Sequence, residues 1–448
     1  MSMRARVASS MFAKVRMSFT RVRVKPKLPA PMNAILAKVG CLPKTGRRWI
    51  APMCFRPQPR DTCRHRVGGD VVPRVLHSPY RHRPMEDPIP MTHRERFQAV
   101  MNYQEFDRLP IWHWTEWPET MAEWEEQGLP RDQDRREFFG TDPWPAGVPI
   151  NLGLYPVFEE EVLEETGEYR IFRQSDGVVC QDWKHKSCIP HYVDYILKDR
   201  ESWPEYKKRL QPSPDRIPGN IDEICAHLNA GDAPVQISCA ALAGWLRNWM
   251  GVENLAYLQA DDPDLIAEMC DTIAELCCWG FDQVMPKVKV DMGWGWEDIC
   301  GRSGPLVSPH IWERCVVPAY KKISAKLREH GCDLYVVDCD GKIDALVPGW
   351  LEGGVNVMFP VEIGVWDGDP MAFRQQYGRE LRVIGGIDKL AIPKGKEAID
   401  AELERRLPLM RDGGFIPLPD HLIVPGTSVE DYRYYFERLK AMQPRVVG

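Results

Sequence analysis

The chain has 448 residues, 44% of them hydrophobic, enough to bury a sizeable core in one large domain or two ordinary ones. It contains no run of about 18 apolar residues, which argues against a membrane span. Its 14 cysteines are scattered without a CxxC pair, so a disulfide framework is excluded and reduced thiols in a cytoplasmic setting are expected.

The net charge of −6 divides unevenly. Residues 1–90 hold 19 Lys and Arg against 4 Asp and Glu, leaving 39 against 60 for the rest. So acidic a body is not expected to bind nucleic acid. The first ninety residues carry many prolines, no acid before Asp61 and no sustained period, which is the composition of a disordered basic extension. Three origins fit it: an organelle transit segment, a nucleic-acid-binding arm, or translated sequence ahead of a natural start. "MTHRERF" from Met91 favours the third, because Thr92 and Glu95 match a capping box at a helix start.

The body, 91–448, opens with "FDRLPIWHW", a predicted short strand ending at His113 and Trp114. The next hundred residues predict small strands, a hairpin and a helix, an irregular insert in the N-terminal half. Its "FEEEVLEE" run reads as a solvated face. Regular alternation starts with the strand "PVQISCA". The helix "DPDLIAEMCDTIAELCCWG" follows, with Asp262 as N-cap, Pro263 in its first turn and an apolar face of Leu265, Ile266, Met269, Ile273 and Leu276. "DQVMPKVKVD" is the next predicted strand. Ser308 and Pro309 open a helix that His330 and Gly331 close. Four strand-then-helix units come next, with strands "DLYVVD", "VNVMFP", "LRVIGG" and "GFIPLP". Such repetition with short connections predicts parallel strands covered by helices. About eight strands in all give an α/β fold, a (β/α)8 TIM barrel. An open doubly wound sheet is the alternative, but no GxGxxG or GxxxxGK[ST] loop supports it.

In a barrel the strand C-terminal ends form the active face. Asp338 and Asp340 follow one strand, Glu362 the next, Asp388 the third, and Asp420 with His421 the fourth. Glu297 and Asp298 follow an earlier strand, and His113 ends the first. Convergent Asp, Glu and His side chains suit a divalent metal or acid–base work. Singly, an Asp after a strand also serves as the N-cap of the next helix, so Asp340 and Asp388 each have a structural alternative. Trp294 and Trp296, split by one glycine, fit either core or a substrate wall.

The segments "THRERFQAVMNYQEFDRLP", "GPLVSPHIWERCVVPAYKKI", "VVDCDGKIDALVPGWLEGGVNVMFP", "VIGGIDK" and "PDHLIVPGTSVEDYRYYFERL" carry a resemblance. Over nearly the whole body the chain resembles the superfamily of uroporphyrinogen decarboxylase and the cobalamin-dependent methyltransferases, which are (β/α)8 barrels. In the decarboxylase branch an arginine-rich motif grips the carboxylates of a tetrapyrrole. Here "IWHWTEWPETMAEW" stands after the first strand, without those arginines. In the methyltransferase branch an HxCG motif and a late cysteine hold zinc. The motif falls on Asp338, Cys339, Asp340 and Gly341, and the late cysteine on His421. The resemblance therefore implies Asp338, Asp340 and His421 as metal ligands, a set compatible with Zn²⁺ or a harder divalent ion.

The implied function is metal-assisted methyl transfer between a small methylated substrate and a separate corrinoid protein. No corrinoid-binding DxHxxG segment is present, so cobalamin is expected only on that partner. Catalytic roles are expected for Asp338, Glu362 and Asp388, and a substrate pocket of His113, Trp114, Trp296 and Glu297. Uroporphyrinogen decarboxylation, in porphyrin biosynthesis and without cofactor, is the alternative enzyme reading; a non-catalytic ligand-binding barrel is the third. The family tendency implies a homodimer.

Overall fold

The computed structural model describes residues 90–185 and 190–443. Residues 1–89 of the expected basic extension lie outside the described residues. In chain order the strands are β1 (Ala146–Gly147), β2 (Glu161–Glu165), β3 (Tyr169–Arg173), β4 (Val179–Trp183), β5 (His191–Asp194), β6 (Val235–Ser238), β7 (Met292–Trp296), β8 (Cys300–Gly301), β9 (Gly304–Pro305), β10 (Tyr335–Asp338), β11 (Val357–Phe359), β12 (Arg382–Ile387) and β13 (Phe415–Pro419). Seven of them form one curled sheet in the order β1-β6-β7-β10-β11-β12-β13, and every pairing in it is parallel. β10, β11 and β13 are buried along their whole length, as strands covered on both faces must be.

The covering helices follow the expected logic. Thr92 and Glu95 complete the capping box of the His93–Met101 helix. Asp262 accepts the N–H of Leu265 at the head of the Pro263–Val284 helix, and Leu265, Ile266, Met269, Ile273 and Leu276 are all buried on its inner face. Helices Pro370–Tyr377, Lys396–Asp412 and Val429–Ala441 complete the last units. Among the described residues no helix is long and apolar enough to cross a membrane.

Two expected strands are corrected. "DQVMPKVKVD" is not a strand, because the helical period continues through buried Phe281 and Val284, and the strand begins only at Met292. Asp291 instead anchors the approach, its carboxylate accepting the Val235 N–H at 2.7 Å. "FDRLPIWHW" forms no regular ladder either. Pro110 has no N–H to give, the Leu109 N–H goes to the Gln443 side chain, and the Ile111 N–H goes to the Asp142 carboxylate. Residues 111–116 nevertheless contact the chain just before β1 and just after β13. The Asp142 N–H donates to the Ile111 carbonyl, and Glu116 forms a parallel bridge with Ile423, just past β13. The expected closed eight-stranded barrel is thus met in part, as a curled seven-stranded parallel sheet.

The insert contains a four-stranded antiparallel sheet in the order β2-β3-β4-β5. Every residue of β2 is exposed, as the acidic run there implies.

Candidate active site

Five consecutive staves, β7, β10, β11, β12 and β13, end in acids or carry them one to three residues on, and neighbouring ends are tied together. The Asp340 N–H donates to Asp298 Oδ1 at 3.0 Å. The Gly341 N–H reaches Glu362 Oε2 at 3.3 Å. Lys389, just after β12, donates to Glu362 Oε1 at 2.9 Å and lies 3.4 Å from Asp420 Oδ1. Asp420 also accepts the N–H groups of Ile363 at 2.6 Å and Lys389 at 2.9 Å. His421 Nε2 is 3.3 Å from Asp340 Oδ2, and its ring lies between two tryptophans, stacked on Trp117 at 5.7 Å and edge-on to Trp114 at 5.9 Å. Trp114 and Trp294 both pack on Phe359, at 4.9 and 5.0 Å.

Backbone strain gathers at the same ends. Ala240, Asp298 and Val361, past β6, β7 and β11, have φ of +60°, +47° and +56°, values a side chain with a Cβ adopts only when its surroundings over-determine it. Gly341, with φ +91°, is required for a second reason: a Cβ there would sit 2.5 Å from the Cys300 carbonyl oxygen.

One donor atom from each of Asp340, Glu362 and His421 lies within 4.8 Å of the others, and the same holds for Asp298, Asp338 and Asp340. Asp340 is common to both groups. Burial raises the carboxyl of Asp338 well above the usual range, and the charges of Asp298, Asp340 and Glu362 add to it. Asp298 is pushed up to about 7 by burial and by Asp340. Glu362 is raised by burial and Asp340, against the pull of Lys389 and His421. For His421 burial works the other way, but the hydrogen bond to Asp340 and the charges of Asp340 and Glu362 outweigh it and hold the imidazole above its ordinary value. Lys389 is likewise lifted despite burial, by Asp420 and Glu362.

The trio expected as ligands, Asp338, Asp340 and His421, is therefore divided between two overlapping groups, with Glu362 completing the set that contains His421. Glu297 faces inward and not toward a pocket. It is 1% exposed, and its carboxylate takes the N–H groups of Leu242 at 2.9 Å and Gly244 at 2.6 Å and the Tyr320 hydroxyl. Asp388 caps the turn that follows it by accepting the Leu390 N–H, the structural alternative noted for it. His113 is held by Glu116 at 3.2 Å and the Tyr432 hydroxyl at 3.0 Å and is not one of the converging groups. Trp114 is at the cluster, and Trp296 sits under the guanidinium of Arg247 at 5.4 Å. Sequence reasoning counted Asp298 among the strand-end acids without giving it an individual role, and assigned none to Lys389 or Trp117. The signal for Lys389 was its place directly after a strand-end acid; nothing local marks Trp117.

Residues 231–442 match the family model described as uroporphyrinogen decarboxylase (URO-D). The chain is 22% identical over 231 residues to the uroporphyrinogen decarboxylase of Picosynechococcus sp., covering 50% of this chain and 60% of the relative. It is 22% identical over 249 residues to that of Crocosphaera subtropica, covering 54% and 65%. The matches thus span less than two thirds of these curated relatives. Among solved structures, a methyltransferase from Methanosarcina mazei superposes with a TM-score of 0.52 at 14% identity, over 78% of this chain and 99% of that one. At that identity the likeness is one of fold.

Proposed function

We propose that this chain, a member of the superfamily of uroporphyrinogen decarboxylase and its methyltransferase relatives, is a metal-assisted methyltransferase that moves a methyl group between a small methylated substrate and a separate corrinoid protein. The observation that carries the reading is the approach of Asp340, Glu362 and His421 to within 4.8 Å of one another at the strand C-terminal ends. Two carboxylates and an imidazole fit Zn²⁺ or a harder divalent ion. The donor set is also short of positive charge: Asp298, Asp338, Asp340, Glu362 and Asp420 are paired with Lys389 and His421, with Arg247 nearby acting on Asp298. Bound there, the ion would serve as a Lewis acid toward the methyl-bearing heteroatom.

The chain's own residues do the rest. Trp114 and Trp117 fix the His421 ring, and Trp114, Trp294 and Phe359 offer an apolar wall for a methyl group. Asp338, buried beside Asp298 and Asp340, is placed to hold a proton at the heteroatom that the methyl group leaves. In this reading the segment 109–117 is the eighth stave of a (β/α)8 barrel, and the corrinoid arrives on its partner. The ten cysteines among the described residues are all free, in keeping with a reducing cytoplasm.

The test is elemental analysis of the protein purified without chelator, beside an Asp340→Ala/His421→Ala variant, followed by methyl transfer to a corrinoid protein. Near-stoichiometric metal, lost in the variant together with transfer, is expected. A wild-type protein with no metal, or a variant with full activity, sinks the proposal. The curated relatives favour a second reading, decarboxylation of uroporphyrinogen, which formation of coproporphyrinogen by the metal-free protein would establish.

A further inference from the structure

One guanidinium beside this site makes no hydrogen bond or ion pair, although its charge already favours the ionised forms of the neighbouring Glu297 and Asp298. Arg247 lies in the Ala243–Asp261 helix, which begins directly after β6 on the strand C-terminal face. The head of that helix sits on the chain after β7. A Cβ on Gly244 would lie 2.2 Å from the Glu297 carbonyl oxygen, and Glu297 itself supplies the cap by accepting the Leu242 and Gly244 N–H groups. Arg247, three residues on from Gly244, shares its face of the helix. Its guanidinium accordingly stacks over Trp296 at 5.4 Å, next to the Glu297 and Asp298 pair, and Asp298 in turn holds the Asp340 N–H at 3.0 Å.

The environment makes the missing partner conspicuous. Other partly buried arginines have an acid or carbonyl partner: Arg96 on Asp107, Arg108 on Asp142, Arg406 on Glu402, and Arg216 on four backbone carbonyl groups. Arg94, Arg135, Arg173, Arg209 and Arg374 each keep one buried nitrogen unbonded, but each also has an ion pair. Among the described residues Arg247 makes neither an ion pair nor a hydrogen bond, and its buried Nε is left without an acceptor. A guanidinium held over an indole face with no hydrogen-bond partner has donors to offer, and its edge matches a carboxylate in a two-pronged geometry.

We infer that Arg247 is a substrate-binding residue that takes a carboxylate, so that the substrate is a small methylated carboxylic acid held by its acid end over Trp296 with its methyl-bearing end toward Asp340. The inference rests on the proposed function for the identity of the methyl-bearing end, but not for the anion. A neutral methylated compound of the same size leaves Arg247 unpaired and loses one charge-assisted contact.

Methoxyacetate and methoxyacetamide, which are the same size but differ in carrying a carboxylate or a neutral amide, are titrated calorimetrically into the full chain, saturated with Zn²⁺ or, where none binds, metal-free. Methoxyacetate is expected to bind at least about tenfold more tightly, the worth of one charge-assisted pair. Arg247→Gln abolishes the preference while metal content stays at the wild-type level, and Arg247→Lys, which keeps the charge, retains part of it and covers the case of a Gln variant that does not fold. Equal binding of the two compounds, no binding of either at millimolar concentration, or a preference that survives Arg247→Gln because the metal holds the carboxylate would each overturn the inference. Absence of metal with an Arg247-dependent preference would refute the proposed function and leave this inference standing.

Discussion

Lys389→Met isolates the electrostatics of the cluster. Lys389 and Glu362 are each 5% exposed and Asp420 is fully buried, so solvent screens little of their interaction. In the variant Glu362 loses its partner at 2.9 Å and keeps only the Gly341 N–H at 3.3 Å. Asp420 loses a cation at 3.4 Å but keeps two backbone donors at 2.6 and 2.9 Å. Removing one member of a buried charge pair costs about 3–5 kcal/mol, and the donors left on Asp420 put the expected loss near the lower bound, about 3 kcal/mol at pH 7.5. The sign with pH follows from the direction of the shifts. Glu362 and Asp420 are already raised by burial, and without Lys389 they rise further; the unfolded chains titrate alike, so the penalty develops as pH climbs through the raised carboxyl pKa values of the folded wild type and vanishes below them. Urea unfolding with chelator present, followed by circular dichroism at pH 7.5 and at the lowest pH where both proteins fold, measures both. A loss under ~1 kcal/mol at pH 7.5, or an equal loss at both pH values, would refute the electrostatic account.

Glu297, with its carboxyl pushed up to about 7 by burial, keeps its proton in the folded chain over a range where the unfolded chain has released it. Stability should therefore fall by about 3 kcal/mol between pH 4.5 and 7, from ~2.5 pH units at 1.36 kcal/mol each, and Glu297→Gln should lack this slope in the same unfolding assay. Gly341→Ala combines left-handed backbone with a clash on the Cys300 carbonyl. It should cost clearly more than the ~1–2 kcal/mol expected of Gly128→Ala, where φ is +90° but a Cβ meets nothing within 4 Å; thermal unfolding of the pair compares them. Trp117→Ala removes the stack on His421. At about 1 kcal/mol for an aromatic pair, metal affinity measured by competition with a chromophoric chelator should drop roughly fivefold.

The regular half of the fold was legible because it obeys periodic rules. Buried parallel strands leave unbroken apolar runs such as "YVVD" and "FIPLP", and helix heads leave Asp262-Pro263 and Ser308-Pro309. Legibility failed where side chains replace the ladder. In 109–117 the backbone is satisfied by Asp142, Gln443 and an isolated bridge to Ile423, none of which produces a local pattern. The site shows the same division. Strand-end acids are visible in sequence, but which of them face one another is decided by turns: the +47° at Asp298 and +56° at Val361 aim Asp298 and Glu362 in ways an extended reading cannot anticipate. Glu297 and Asp298 are adjacent in sequence, yet one caps a helix from inside and the other joins the cluster.

That division bears on which chemistry the site favours. A tetrapyrrole bearing many carboxylates needs several cations around its rim. Near the described cluster the cations are Lys389, already committed to Glu362 and Asp420, the imidazole of His421, and the single free guanidinium of Arg247. One guanidinium without a hydrogen-bond partner matches at most one carboxylate. The remaining excess charge is negative and buried, an arrangement that is costly alone and that a divalent ion relieves. A small mono-acid beside a metal balances this site, whereas a polycarboxylate would add to its imbalance. The two readings therefore predict opposite responses to adding negative charge to the ligand, and the comparison of methoxyacetate with larger di- and tricarboxylates would separate them: affinity should fall with each added carboxylate if the mono-acid reading holds, and rise if the rim is built for a tetrapyrrole.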